Sequence, residues 1–294
     1  MRPEELARHI QLNVTAALNE DLGIAPDTSK SSNSKMGPGA DLTAQLVPEN
    51  LITTASIISR QKAYLCGTQW LDYCFQRLDQ NCIINWSAKD GDFIKPNQVL
   101  CNIRGNARAM LTAERTALNF LQTLSGTTTL VRSYVNAVTG INVKIMDTRK
   151  TLPGLRAAQK YAVRIGGGLN QRSGLFDGIL IKENHIKAAG GISKVMALAK
   201  RIAPSDLPIQ IEVETLAQLK EALDANAKLI LLDNFSMMNL RRAVSLTGKR
   251  AVLESSGNIN LDKVCLVAET GVDRISIGSL TKDVLAVDLS MRFE

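Results

Sequence analysis

Between Val143 and His185 two short apolar stretches each run straight into a cluster of charge, and no other feature restricts the fold as much. Val143–Met146 discharges into Asp147-Thr148-Arg149-Lys150, and an amphipathic helix follows. After Gly166-Gly167-Gly168 and Gln171-Arg172, the stretch Gly178–Ile181 ends on Lys182-Glu183-Asn184-His185. β/α sheets and barrels collect the C-terminal ends of their strands on one face, where such folds build active sites. A single charged strand end is as readily a solvated loop cap. Recurrence is what separates the two readings.

The pattern does recur. Strands are expected at Val143–Met146, Gly178–Ile181, Ile209–Val213, Lys228–Leu232, Arg250–Leu253 and Arg274–Ile277, with a seventh around Gly168–Arg172. Helices are expected near Leu155–Arg164, Ser193–Ile202, Leu216–Asn226, Met237–Ser245 and Leu261–Glu269, the spacing of β/α units. The strand ends carry Arg149 and Lys150, then Lys182 and Glu183, then Glu212 and Glu214, then Asp233 and Asn234. Glu254 with Ser255-Ser256-Gly257-Asn258 follows, and then Ser276, Gly278 and Ser279. Cations come first, carboxylates next and small residues last. Gly/Ser turns after the last strands of a β/α barrel often bind phosphate through backbone N–H groups. Such a set suits a ligand with several anionic groups, while carboxylates can hold Mg²⁺ or sugar hydroxyls and stabilise an oxocarbenium-like centre.

Ahead of this region, residues 3–20 place Leu6, Ile10, Val14 and Leu18 on one helical face behind Pro3. Residues 24–40 lack periodicity and are expected to form a mobile loop. A strand near Thr53–Arg60, a helix near Thr68–Leu78 and a strand at Cys82–Trp86 come next, and Asp90–Ile103 reads as a turn-rich hairpin. Met110–Val138 is helical, with Gly126 and Thr127-Thr128-Thr129 expected to break it in two.

Composition removes several function classes. Only His9 and His185 are histidines, which leaves little for a His-based zinc site or a Ser-His-Asp triad. No GxxxxGK[ST] is present, and Gly166–Gly168 forms no GxGxxG at a strand-to-helix turn. The net charge of +7 fits an anionic small molecule, and aromatics at 4% give no platform for nucleic acid. Five cysteines without CxxC spacing read as reduced thiols of a cytoplasmic protein. No apolar run near about 18 residues and no signal-peptide pattern is read, so no membrane partner is expected.

With these motifs assembled, the chain resembles quinolinate phosphoribosyltransferase along nearly its whole length. The resemblance rests on LTAERTALNFLQTLSGTTT (Leu111–Thr129), DTRKTLPGLR (Asp147–Arg156), KYAVRIGGGLNQR (Lys160–Arg172) and LIKENHI (Leu180–Ile186). LLDNF (Leu231–Phe235), ESSGNI (Glu254–Ile259), GVDRISIGSLT (Gly271–Thr281) and DLTAQLVP (Asp41–Pro48) complete it. It implies an α/β protein: an N-terminal α/β sandwich domain over 1–118, completed by 283–294, and an open, seven-stranded α/β barrel over 119–282. It implies a homodimeric pentosyltransferase that uses quinolinate, phosphoribosyl pyrophosphate and Mg²⁺, giving nicotinate mononucleotide, pyrophosphate and CO₂. Carried over by motif, Arg149, Lys150, Arg172 and Lys182 bind quinolinate carboxylates and phosphates, with Thr148, Lys160 and Gln171 as further substrate-binding residues. Lys150, Lys182, Glu212 and Asp233 form the catalytic set. Glu212 and Asp233 face the ribose and Mg²⁺, while Ser256-Gly257-Asn258 and Ser276-Ile277-Gly278 hold the 5′-phosphate. Arg115 reaches a neighbouring subunit's site. The chain departs from the family pattern with Gln171 in place of the usual His, Lys282-Asp283 in place of His-Ser, and an insertion at 24–39. A nicotinate-using relative, or a non-catalytic phosphosugar-binding barrel, is the alternative reading.

Overall fold

The computed structural model describes residues 2–24 and 41–294, so the loop expected at 24–40 lies outside the described residues from position 25 onward. In chain order the elements are α1 (Pro3–Asp21), β1 (Ile52–Ser59), β2 (Ala63–Tyr64), α2 (Thr68–Leu78), β3 (Ile83–Trp86), β4 (Phe93–Ile94), β5 (Val99–Asn106) and α3 (Ala107–Ala137). Then come β6 (Lys144–Met146), α4 (Arg156–Ile165), β7 (Ile179–Ile181), α5 (Glu183–Ala189), α6 (Ile192–Ile202), β8 (Ile209–Val213), α7 (Leu216–Asp224) and β9 (Leu229–Asp233). The chain ends with α8 (Met237–Thr247), β10 (Val252–Ser256), α9 (Leu261–Ala268), β11 (Arg274–Ser276), α10 (Ser279–Lys282) and β12 (Leu289–Phe293).

Two compact units result. The first comprises Met1–Thr129, Pro153–Gly166 and Val284–Glu294; the second comprises Leu130–Leu152 and Gly167–Asp283. The first is built on an antiparallel sheet of order β12-β1-β5-β3. Helix α1 starts behind Pro3 and buries Ile10, Val14 and Leu18, the stripe expected from the spacing, in a core with Trp70, Phe75, Ile103 and Leu121. Burial of that stripe is what holds the helix, since most helical stability comes from packing of an apolar face.

Two local expectations in this unit are corrected. Asp90–Ile103 is no hairpin: β4 pairs with β2, while β5 pairs with β1 on one side and β3 on the other. A central strand has both edges occupied, which leaves none for β4. Residues 110–138 also do not break at Gly126, because α3 runs unbroken for 31 residues. Gly126 is there for space rather than as a breaker, since a Cβ on it would collide with the carbonyl oxygen of Leu285. The C-terminal segment is laced along this helix by Val287 N–H donating to the Gln122 carbonyl at 3.1 Å and by Gln122 Nε2 donating to the Leu289 carbonyl at 3.1 Å. The threonines stay helical because their hydroxyls bond carbonyls, Thr127 to Thr123 and Thr128 to Ala162.

The second unit is a parallel sheet of six strands, order β6-β11-β10-β9-β8-β7, with helices in the connections. Each of its strands buries apolar residues, among them Ile145, Ile181, Ile211, Ile230, Leu253 and Ile275, as parallel strands covered by helices require. The seventh strand expected around Gly168–Arg172 reduces to a single parallel bridge between Met146 and Leu169. The ladder stops there because the Gln171 N–H goes to the Asp147 carboxylate at 2.7 Å instead of to a backbone carbonyl. All five cysteines are free of disulfides, and among the described residues no helix is long and apolar enough to cross a membrane.

The close approach at Gly126 gives a test with a counterintuitive sign. Gly→Ala inside a helix ordinarily stabilises by about 1 kcal/mol. Here Gly126→Ala is expected to destabilise, by about 1–3 kcal/mol for a forced overpacking. A urea or thermal melt that shows the variant more stable than the parent overturns this account of the helix.

Candidate active site

The C-terminal ends of the parallel strands open onto one cavity of about 780 Å³. Three of the expected cations arrive from the first units. Thr148, Arg149 and Lys150 follow β6, with the Lys150 N–H donating to Thr148 Oγ1 at 3.0 Å and the Lys150 carbonyl accepting from Thr281 Oγ1 at 2.7 Å. Arg172 is held by donation to the Gly178 carbonyl at 3.0 Å. Burial and then the neighbouring Arg149 charge pull its guanidinium below the ordinary range, partly offset by Asp177. Two like charges in one wall are costly without an anion, and they attract one.

Asp177 keeps the turn beside Arg172 in shape. Burial alone would push its carboxyl up, but N–H donation from Ser173 at 2.7 Å and Gly174 at 2.8 Å holds it below the usual range. Beneath the floor, fully buried Asp147 accepts from Asn170 Nδ2 at 2.6 Å and from the Gln171 N–H. That pair fixes where Gln171 and Arg172 leave the backbone.

The carboxylates come from the ends of β8 and β9. Lys182 Nζ lies 3.5 Å from Glu212 Oε2, the lysine half-exposed and the glutamate largely covered. Burial raises the Glu212 pKa, Lys182 pulls it down, and the nearby Asp233 carboxylate raises it again. Asp233 is steadied by Asn234 Nδ2 at 2.9 Å. The last strands supply small residues. Asn234, Gly257 and Asn258 all have positive φ, and a Cβ on Gly257 would collide with the Asn234 side chain. Only glycine fits that turn. Gly278 is tight for a different reason: its Cβ would fall 2.9 Å from Lys150 Cδ.

Thr148, Arg149, Lys150, Gln171, Arg172, Lys182, Glu212 and Asp233 therefore line one cavity with Ser256-Gly257-Asn258 and Ser276-Ile277-Gly278. Two other expected residues do not. Lys160 is buried in α4 of the first unit, and Arg115 is exposed on α3 of that unit. Glu214, also read as a strand-end charge, is exposed and outside the cavity lining. Lys282 and Asp283 are in the lining, paired at 3.0 Å. Sequence reasoning missed Gln210, a polar residue inside an apolar strand, and took Glu254 for a loop-end charge although it lies within β10 and is buried.

The chain's segments match the family models for the quinolinate phosphoribosyl transferase N-terminal domain over residues 41–125 and C-terminal domain over residues 127–292. The chain belongs to the quinolinate phosphoribosyl transferase family. Among its relatives, a probable nicotinate-nucleotide pyrophosphorylase (carboxylating) of Bacillus subtilis is 40% identical over 251 residues, 85% of this chain and 87% of that protein. The nicotinate-nucleotide pyrophosphorylase (carboxylating) of Mycobacterium leprae is 40% identical over 262 residues, covering 86% of this chain and 91% of that one. The solved structure of the nicotinate-nucleotide pyrophosphorylase from Francisella tularensis superposes with a TM-score of 0.87 at 42% identity, over 97% of both chains.

The ion pair at Glu212 has a pH signature. With its folded-state pKa raised by burial, Glu212 costs stability once the pH rises through the unfolded value and into the folded one. Lys182 reduces that cost, so Lys182→Met is expected to destabilise more at neutral pH than below the ordinary glutamate range. Urea melts of parent and variant at both pH values check this; an equal loss at the two would remove the coupling.

Proposed function

We propose that this chain transfers the phosphoribosyl group of phosphoribosyl pyrophosphate to the ring nitrogen of quinolinate, with loss of CO₂, giving nicotinate mononucleotide and pyrophosphate for NAD biosynthesis. The observation that carries the proposal is one cavity with Arg149, Lys150, Arg172 and Lys182 on its walls, the Glu212/Asp233 pair and two Gly/Ser turns, in a chain of this family. A dicarboxylate and a substrate bearing phosphate and pyrophosphate need that many fixed cations, and guanidinium groups bind carboxylates bidentately. Backbone N–H groups at Ser256–Asn258 and Ser276–Gly278 would take the 5′-phosphate.

The chemistry asks for positioning and charge stabilisation rather than a nucleophile from the protein. As the bond from C1 to pyrophosphate breaks, Lys150 and Lys182 would take up charge on the leaving group. Glu212 and Asp233 would face the developing sugar cation and stabilise it. The ring nitrogen then bonds C1 and becomes cationic; that charge stabilises the electron pair left on the ring carbon as the adjacent carboxylate departs as CO₂, and a proton from water takes the pair to form the C–H bond of the product. Arg149 and Arg172 would hold the ring by its carboxylates.

Glu212 and Asp233 also fit Mg²⁺. Among the described residues no group of three or more metal-binding side chains converges, so no all-protein cage exists. Mg²⁺ instead commonly takes one or two carboxylates and fills its shell with substrate phosphates and water. Bound there, it would neutralise pyrophosphate charge. Asp233→Ala is expected to lower kcat/KM by about 10²-fold or more, the scale of losing a preorganised electrostatic group. The test is release of pyrophosphate and CO₂ that requires quinolinate, with nicotinate as the alternative substrate and EDTA as the metal control. Turnover of nicotinate but not quinolinate, or full activity of the variant in excess EDTA, would rule out this assignment.

A homodimer with Arg115 contributed in trans completes the proposal. Exposed Arg115, in the ERTALN motif, would donate to a quinolinate carboxylate in the partner's site. Arg115→Ala and Arg149→Ala would then each be nearly inactive. Mixed under subunit exchange, they should recover about a quarter of parent activity, because half the dimers are hybrids with one intact site of two. Confirmed exchange without recovery would show that Arg115 does not act across subunits.

A further inference from the structure

Lys182 leaves the sheet at its edge, and its backbone is gripped there by a residue that the mechanism above does not use. Among the described residues β7 pairs with β8 alone, in parallel register from Ile179 to Ile181. The Ile179 N–H points toward β8 and donates to the Pro208 carbonyl at 2.9 Å. Successive residues of an extended strand turn their N–H groups to alternate sides. Lys182, three positions on and still extended, therefore turns its N–H to the open edge. His185 Nδ1 accepts that N–H at 3.0 Å, and the His185 N–H donates to the Lys182 carbonyl at 2.9 Å. Both backbone groups of the lysine are thereby tied to one residue in the first turn of α5. The side-chain bond is the return half of a capping box, in which the third helical residue reaches back to the residue before the helix. Glu or Gln ordinarily fills that role; here an exposed histidine outside the cavity lining fills it.

We propose that His185 is a positioning residue for the reaction, acting through Lys182: it sets the direction in which the lysine leaves the backbone, and so keeps the ammonium at Glu212 inside the cavity. The inference rests on the reaction proposed above. Lys182 Nζ lies 3.5 Å from Glu212 Oε2 and is half-exposed. A partly exposed ion pair is a weak tether for a side chain with four rotatable bonds, so the backbone at its root has to carry much of the aim. The next residue makes the direction matter. Burial, then Asp233 and last Glu183 push the Glu212 carboxyl up, while Lys182 pulls it down. Glu183 thus acts on the same carboxylate with the opposite sign, and a looser first turn lets that like charge compete for the place the ammonium holds. An arm fixed at its root also has less freedom to lose as it meets developing charge, which is what preorganisation supplies.

His185→Ala removes the acceptor, and because the ring is exposed the core loses nothing with it. The variant is expected to lower kcat about tenfold, the scale of one hydrogen bond. Each KM should change less than about threefold, since Lys182 takes up charge only as the bond to pyrophosphate breaks. His185→Gln returns the bond from a residue type that capping boxes use, and its kcat should lie within about threefold of the parent. The deciding measurement is a double-mutant cycle on kcat with Lys182→Ala. Action through Lys182 requires that His185→Ala has no further effect once the lysine is gone. A fall in Tm with kcat unchanged, a glutamine variant as slow as the alanine one, or an equal loss in the Lys182→Ala background would overturn the proposal. If the parent does not turn over quinolinate, the reaction assignment falls by itself, and the Kd for inorganic pyrophosphate, read by calorimetry, takes the place of kcat. His185→Ala must then weaken that Kd about tenfold in the parent and leave it unchanged in the Lys182→Ala background. Equal weakening in both, or none in either, overturns the proposal.

Discussion

The register of the parallel sheet is the constraint on which the rest of the second unit depends. Glu212 stands level with Leu231, and Leu231 stands level with Glu254; one step on, Asp233 stands level with Ser256. Residues in register project to the same side, and residues two apart along a strand share a face. Gln210 and Glu212, Leu231 and Asp233, and Glu254 and Ser256 are thereby stacked on one face, with the second member of each pair nearer the cavity. A slip of one residue in β8, β9 or β10 would turn each pair to the opposite side. Backbone hydrogen bonds thus place Glu212 and Asp233 along their strands, and the Lys182 ion pair and the Asn234 hydrogen bond then orient the two side chains.

Stacking polar side chains inside a sheet carries a desolvation cost, and the structure answers it row by row. The deepest row is neutralised as a hydrogen-bonded set of two amides and one carboxylate, Gln171, Gln210 and Glu254. Glu212, which shares the Leu231 level with Glu254, is balanced against Lys182. Only the outermost groups, nearest the cavity mouth, are left to meet a ligand. Buried polar networks are stabilising when each member is satisfied and costly when one is not. That explains why the polarity deepens behind Gln171 but not behind Arg149, where Ile145 and Met146 of β6 are buried apolar residues.

How much of this was legible in the sequence follows from the range of the interaction involved. The strand ends could be read because an apolar run stopping at a charge is a local signal, and Arg149, Lys182, Glu212 and Asp233 all emerged from it. Gly126 could not be read correctly, because its reason for being glycine is the carbonyl of Leu285, far away in the chain. Nor could Asp90–Ile103: strand and turn residues are visible locally, but the partner of a strand is not. Glu254 is the instructive error. Its identity said surface and its position said strand end, yet parallel pairing of β10 with β9 through Ser256 carries it one row inward, where it is buried and accepts from Gln171 and Gln210.

The departures at 171 and 282 can be weighed on the same physical footing. A histidine at 171 would present a ring with one donor and one acceptor in its neutral form, and it would gain a charge near neutral pH. Glutamine carries both a donor and an acceptor and adds no charge to the cavity at any pH near neutral. Lys282 adds one more cation to that balance but is held at 3.0 Å by Asp283, so the pair brings no net charge to the rim. An exposed pair of this kind contributes little to stability. Its lysine can leave the aspartate for a phosphate at small cost, whereas Lys182 is tied to a covered glutamate and Gln171 to a buried one. The site thus grades from fixed polar groups at its floor to exchangeable ones at its rim, the order in which a rigid ring and a highly charged leaving group would each need to be held.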